Sequence, residues 1–248
     1  MTNLIALIPA RAGSKRAPGK NVRLLNGHPL LAYAIATAQE AGIFEQIIVS
    51  TEDEATADIA HRYGATVCER PAELAQDDSP DILWVEHALD RAGPVDAFAI
   101  LRPTSPFRRG QWVRDAWEWF STTALRVDSL RAMRPVTEHP GKMWAADGDF
   151  ALPILPQART RPPFEPWHSS PTQGLPQYWV QTAALEIAWT RTVYVLNSIA
   201  GYDVLRLETD RSAPETIDIN TEDDWDRAQA VARVSPAWLP TVRVAVPV

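Results

Sequence analysis

Lysine is almost missing from this 248-residue chain: Lys15, Lys20 and Lys142 stand alone, and the other basic positions are arginine. A GC-rich genome accounts for that scarcity, but not for two of the three lysines sharing one short glycine-containing loop. Cysteine is scarcer still. Cys68 has no partner for an internal disulfide and ends the strand-like run Ala65-Thr-Val-Cys68, so a buried small hydrophobe and a reducing cytoplasm are expected. No apolar run approaches the roughly 18 residues that span a bilayer, which excludes a transmembrane helix. The first apolar run has no basic residue before it and Arg11 follows closely, so no secretory leader is expected. Positive charge is in deficit as well. With 24 basic and 31 acidic side chains the formal charge is −7, which argues against a general nucleic-acid binder. What is present, 46% apolar and 22% charged residues, describes a globular chain with one large domain and an appended arm.

Apolar strands alternate with helical patterns over the first 130 or so residues. Strands are expected at Leu4–Ile8, Ile47–Thr51, Ala65–Cys68, Ala97–Leu101 and Ser129–Met133. Helices are expected at Pro29–Ala41, Glu54–Tyr63, Ile82–Arg91 and Trp112–Phe120. Continuous apolar strands separated by helices belong to an α/β fold whose mainly parallel sheet is covered on both faces. From Pro135 to Pro176 proline is dense, which forbids a long helix or central strand. That stretch also carries Met143, Trp144, Phe150, Phe164 and Trp167, so it is either a surface loop or an arm packed on a second subunit. Strands resume at Tyr178–Ala188 and Val204–Leu207, and Thr221 with the acidic residues after it caps a helix to about Val234. The expected division is a core of 1–134 and 177–234, an arm of 135–176 and a tail of 235–248.

The loop Ile8-Pro-Ala-Arg-Ala-Gly-Ser-Lys-Arg-Ala-Pro-Gly-Lys-Asn21 leaves the carboxyl end of the first strand, the edge at which open α/β sheets bind ligands. Arg11, Lys15, Arg16 and Lys20 crowd together there on an acidic protein, an arrangement that needs an anion. Backbone N–H groups, lysines and the Ser14 hydroxyl suit a triphosphate. The loop is not a P-loop: five residues, not four, separate Gly13 from Gly19, and Asn21 follows Lys20 where Ser or Thr belongs. Nor is there a G-x-G-x-x-G dinucleotide fingerprint. A solvated basic turn is the bland alternative.

The loop resembles the signature of the CMP-sialic acid synthetase (acylneuraminate cytidylyltransferase) family. The resemblance continues in register through Arg70-Pro-Ala-Glu-Leu-Ala-Gln-Asp-Asp-Ser79, Leu101-Arg-Pro-Thr-Ser-Pro-Phe-Arg108, Glu138-His-Pro-Gly-Lys142 and Ile217-Asp-Ile-Asn-Thr-Glu-Asp-Asp-Trp225. It implies a Rossmann-like, glycosyltransferase-A-like nucleotidyltransferase fold with a protruding dimerisation arm. It implies a cytidylyltransferase that uses CTP, with Arg11, Ser14, Lys15 and Lys20 on the phosphates and Ala12 and Gly13 also nucleotide-binding. Asn21 and Arg70 match positions that read the cytosine edge, and Asp77 and Ser79 lie in the segment near the nucleoside; for Arg70 the alternative is a surface ion pair with Glu73. Asp218 matches a carboxylate that coordinates Mg²⁺, a hard cation suited to carboxylate and phosphate oxygens. The family commonly has Asp-x-Asp here, whereas this chain has Asn220, which is expected to offer its carbonyl oxygen. Arg11, Lys20 and Asp218 are the implied catalytic residues. The arm is expected to mediate a homodimer, with Lys142 or Arg159 reaching the partner's site.

The acceptor half departs from the family. Sialic-acid-using members have glutamine where this chain has Arg102, and Arg-Pro-Asn-Gly where it has Val180-Gln181-Thr182-Ala183. Arg102, Thr104, Ser105, Lys142, Gln181 and Thr182 are the candidate acceptor residues. An arginine suits bidentate capture of a small anion, so a phosphonate such as phosphonoformate, as in a phosphonoformate cytidylyltransferase, leads. A nonulosonate of the sialic, legionaminic or pseudaminic kind is the second acceptor, and a non-catalytic CTP-binding protein the reading from another class. Partners beyond CTP and the acceptor, whether nucleic acid or membrane, are not expected.

Overall fold

A computed structural model describes residues 2–13, 19–123, 127–155, 165–210 and 212–245. The chain divides into two compact units, Met1–Ala132 with Thr182–Val248 and Met133–Gln181.

In the larger unit the first strand, β1 (Leu4–Pro9), pairs in parallel with β4 (Gln46–Thr51) on one side and β6 (Ala97–Ile100) on the other. β4 pairs in parallel with β5 (Thr66–Glu69), and β6 pairs antiparallel with β10 (Trp179–Trp189). With β7 (Ser129–Pro135) and β11 (Val204–Glu208), the described residues form a mixed seven-stranded sheet in the order β11-β7-β10-β6-β1-β4-β5. The short strands β2 (Leu24–Leu25) and β3 (His28–Pro29) pair separately.

β1 is apolar throughout because both its faces are buried. Ala6 and Ile8 meet Leu31, Ile35 and Ala38 of α1 (Leu30–Ala41) and Val113 and Phe120 of α4 (Gly110–Thr123). Ile5 and Leu7, one residue out of phase, meet Trp84, Val85 and Leu89 of α3 (Asp81–Ala92) and Val193 of α5 (Thr190–Leu196). The period of two in side-chain direction thus divides one strand between two cores. α2 (Glu54–Arg62) begins on Asp53, whose side chain accepts the Thr56 N–H. Gly110 lets α4 start against the end of α1, since a Cβ there would lie 2.6 Å from the Glu40 carbonyl carbon.

α6 (Glu222–Val234) starts with a capping box between Thr221 and Asp224. Its Trp225 and Ala228 join Tyr33, Phe107, Ile217 and Ile219 in a third apolar cluster. That cluster fixes the segment that carries Asp218. The smaller unit holds the hairpin of β8 (Trp144–Asp147) and β9 (Phe150–Pro153), two four-residue strands that the prolines permit. Among the described residues no helix is long and apolar enough to cross a membrane.

Candidate active site

β1, β4, β5 and β6 run in parallel, so their carboxyl ends share one edge of the sheet. The chain passes from β1 outward through β4 and β5, then returns to β6 on the far side of β1. This reversal makes a switch point between β1 and β6, where such sheets open a ligand crevice. Arg11 follows β1, Glu52 follows β4, Arg70 follows β5 and Arg102 follows β6. Sequence order therefore delivers four charged side chains to one edge.

On the β1 side, Ala10 N–H donates to the Ser50 carbonyl (3.0 Å) and Ala12 N–H donates to Glu52 Oε1 (2.8 Å). Arg11 pairs with Asp77 at 2.9 Å and donates to the Ala75 carbonyl. Gly19, at φ 64°, turns the chain into the short helix Lys20–Val22 in a backbone region that favours glycine. Buried Asn21 then donates its amide to the Arg11 carbonyl (3.0 Å), bracing the base of the loop. Lys20 Nζ donates to the Ile219 carbonyl (3.2 Å), which ties the loop to the Asp218 segment. Ser14 and Lys15, both expected on the phosphates, and Arg159 of the arm lie outside the described residues. Gly13 is exposed and a Cβ there would meet nothing within 4 Å.

Arg70 is buried. Its Nε donates to the Ser50 hydroxyl and its Nη2 to the Ser50 carbonyl, both at 3.0 Å, and its guanidinium lies 5.1 Å from the Trp84 ring centre. Burial pushes its pKa down, opposed by the charges of Glu52 and Asp81. The alternative of a surface ion pair with Glu73 is overturned. A cavity of about 340 Å³ beside Arg70 is lined also by Thr51, Glu52, Asp53 and Glu69. Ser79 turns away, its hydroxyl donating to the Glu73 carbonyl (2.9 Å).

Beyond β6, the Thr104 carbonyl accepts the Ile219 N–H (2.9 Å), bringing the second motif onto the Asp218 segment. Asp218 Oδ2 accepts the Asn220 side-chain amide at 2.6 Å, while its Oδ1 is buried with no hydrogen-bond partner among the described residues. Asn220 was expected to present its carbonyl oxygen to a metal; its NH₂ donates to Asp218 Oδ2. Ser105 Oγ and Arg108 Nη1 are also buried and unpartnered among the described residues. Arg108 is enclosed because its Nε donates to the Ala184 carbonyl and its Nη2 to the Arg102 carbonyl. Burial pushes its pKa down to about 9, opposed by the charge of Asp218.

Arg102 requires a correction. Its Nη2 lies 2.5 Å from Asp81 Oδ2 and its Nε 2.8 Å from Glu186 Oε1. Glu186 also pairs with buried Arg131. Two arginines and two carboxylates cancel, so Arg102 is not the free cation that the phosphonate reading required. Thr182 Oγ1 donates to the Ala132 carbonyl (3.3 Å), a bond within the larger unit. In the smaller unit Gln181 is exposed and Lys142 donates to the Ser170 carbonyl. There His139 is a turn residue, accepting the Gly141 N–H with Nδ1 and bonded to the Pro176 carbonyl through Nε2.

Asp81, Trp84 and Glu186 were missed from the sequence. Glu186 had a signal: it is a lone charge inside the apolar run Ala184-Leu-Glu-Ile-Ala188, and such a residue is seldom buried without a counter-charge. Asp81 had none beyond opening a helix after Pro80.

A strand-end crevice with phosphate-suited cations and a carboxylate on a third segment defines a nucleotidyltransferase. A cytidylyltransferase family model matches residues 5–87. A protein of Legionella pneumophila named CMP-N,N'-diacetyllegionaminic acid synthase is 44% identical over 159 residues, which is 61% of this chain and 67% of that protein. An N-acylneuraminate cytidylyltransferase of Escherichia coli is 42% identical over 121 residues, but these span 49% of this chain and only 29% of that longer protein. A solved structure of a CMP:2-keto-3-deoxy-manno-octonic acid synthetase complexed with CTP shares the fold, with a TM-score of 0.66 at 13% identity, covering 94% of this chain and 99% of the other. The chain belongs to the CMP-sialic acid synthetase (acylneuraminate cytidylyltransferase) family.

Proposed function

We propose that this protein transfers the CMP group of CTP to a hydroxyl of a nonulosonate, a nine-carbon α-keto-acid sugar, and releases pyrophosphate. The observation that carries the acceptor is the neutralised Arg102, which leaves a reader of small anions without its charge. The 44% identity to a protein named for a legionaminic acid supports the same choice. The acceptor hydroxyl gives up its proton to water, and its oxygen forms a bond to the α-phosphorus as the bond to pyrophosphate breaks in line with it. Such transfers depend on positioning and charge neutralisation. Arg11 and Lys20 would counter the phosphate charge, Arg11 leaving Asp77 to do so. Arg70 and the cavity beside it would take the nucleoside.

Mg²⁺ fits Asp218, since a buried carboxylate oxygen with no partner among the described residues, an adjacent amide and substrate phosphates form a hard-oxygen set. Asp218 would hold the ion directly, with Asn220 fixing the carboxylate's orientation. When bound, the ion supplies charge neutralisation on the phosphates.

In the presence of Mg²⁺, CTP at 100 times its Kd should stabilise the protein by about 2.7 kcal/mol, and GTP, UTP and ATP by much less. A thermal-shift titration measures this, and no response to CTP rejects the nucleotide assignment. Pyrophosphate release should then appear with legionaminic, sialic or pseudaminic acid. Release with phosphonoformate but none of the sugars would reject the acceptor.

We also infer that the smaller unit mediates a homodimer, because its hairpin exposes Trp144, Phe150 and Leu152. Light scattering should give twice the 27.5 kDa chain mass, and a monomer mass would refute this.

A further inference from the structure

We propose that Asp81 is a positioning residue that couples the β5 side of the crevice, where Arg70 lies, to the β6 side, where Arg102 lies. The proposal rests on the reading above that CTP occupies the Arg70 side.

Asp81 divides its two oxygens between the two sides. Oδ1 accepts the Trp84 indole N–H at 2.8 Å, and Oδ2 holds Arg102 at 2.5 Å. The first contact is built by the helix itself, because positions i and i+3 share a face. Asp81 opens α3, where the helix dipole favours a carboxylate. Burial pushes its pKa up, yet Arg102 and the Trp84 N–H more than offset this and hold it below the usual carboxylate range.

Each neighbour is pinned in turn. Trp84 is buried, and its ring lies under the Arg70 guanidinium, which Ser50 holds from β4. Arg102 is held from the opposite direction by Glu186 on β10. The path Arg70–Trp84–Asp81–Arg102–Glu186 is therefore continuous from the end of β5 through α3 to the end of β6 and on to β10. A nucleotide that draws on Arg70 shifts the load on Trp84, and Asp81 passes it to Arg102. Coupling of this kind is reciprocal, so a change at Arg102 must be felt in CTP affinity.

Asp81→Asn keeps the shape but breaks one link, since its NH₂ must face either the Trp84 N–H or the Arg102 guanidinium, both donors. The test is a double-mutant cycle on the full chain: wild type, Asp81→Asn, Arg102→Gln and the double variant. CTP Kd is measured calorimetrically with Mg²⁺, beside the KM for CTP, kcat and the melting temperature. Arg102→Gln should weaken CTP binding at least about 5-fold, the lower end of ordinary coupling, and about 2-fold or less when Asp81→Asn is already present. A merely structural Asp81 would lower Tm and active fraction while leaving the Kd effects independent. Independent effects overturn the proposal. Should Asp81→Asn fail to fold, Trp84→Phe keeps the ring, removes the N–H and enters the same cycle, where independence is equally fatal. The cycle needs no acceptor. Wild type that binds CTP but turns over no nonulosonate therefore rejects the acceptor alone, whereas absence of CTP binding overturns both readings.

Discussion

Asp218→Ala is expected to lower kcat/KM by about two to three orders of magnitude, the loss of roughly 3–4 kcal/mol of transition-state stabilisation. The folded state loses far less. Asp218 Oδ1 has no partner among the described residues, and Oδ2 is engaged by the Asn220 amide. Removing the carboxylate frees one amide donor and takes away the nearby charge that offsets the burial of Arg108, at a cost of about 1–2 kcal/mol. The segment itself is held by other bonds: the Thr104 carbonyl accepts from Ile219, Lys20 donates to the Ile219 carbonyl, and Asp224 accepts from Asn220 and Thr221. Large loss of activity with a small loss of stability separates a functional carboxylate from a structural one. Pyrophosphate-release kinetics beside a thermal melt measure both, and a variant within fivefold of wild type would remove Asp218 from the mechanism.

The strands that position this site were legible because burial on both faces leaves an unbroken apolar run, as in Leu4–Ile8, and little else in a sequence does so. α5 was not. Thr190-Arg-Thr-Val-Tyr-Val-Leu196 is rich in β-branched residues, whose intrinsic preference is for strands. Packing decides against that preference, since Val193 enters the cluster formed by Trp84, Val85 and Leu89 of α3. The β8–β9 hairpin was hidden by the prolines around it, which limit strand length without forbidding four residues on either side of a turn at Gly148.

At the site, legibility followed chain proximity. Arg11 and Asn21 share one loop and brace each other locally, whereas Lys20 of the same loop bonds Ile219, 199 positions away. Arg102 was misread because a sequence displays a charge without its counter-charge. Its partners lie 21 and 84 positions away, on α3 and β10. Which elements meet is decided by the reversal of strand order at β6, and no short motif encodes that reversal. The place of β10 between β6 and β7 puts Glu186 beside Arg131.

That pairing makes Glu186 the position where a small change should cost the most stability. Glu186 and Arg131 are both buried, and Glu186 also serves Arg102. Glu186→Gln keeps the volume and removes the charge. Arg102 retains Asp81, but Arg131 is left enclosed, its Nη2 still donating to the Ile199 carbonyl. Breaking a buried pair from one side costs about 3–5 kcal/mol, chiefly because the remaining charge stays desolvated. At about 2–4 °C per kcal/mol for a domain of this size, Tm should fall by roughly 10 °C. Adding Arg131→Met should recover much of the loss, because it removes the stranded charge rather than restoring its partner. Glu222→Gln provides the contrast. Glu222 pairs with Arg23 at 2.7 Å on the surface, where such a pair contributes about 1 kcal/mol or less and weakens with salt. The Glu186 effect should persist at high salt. A loss below about 2 °C, or one abolished by salt, would mean that water reaches the pair. In that case Arg102 would be solvated as well, and its charge would again be available to an acceptor.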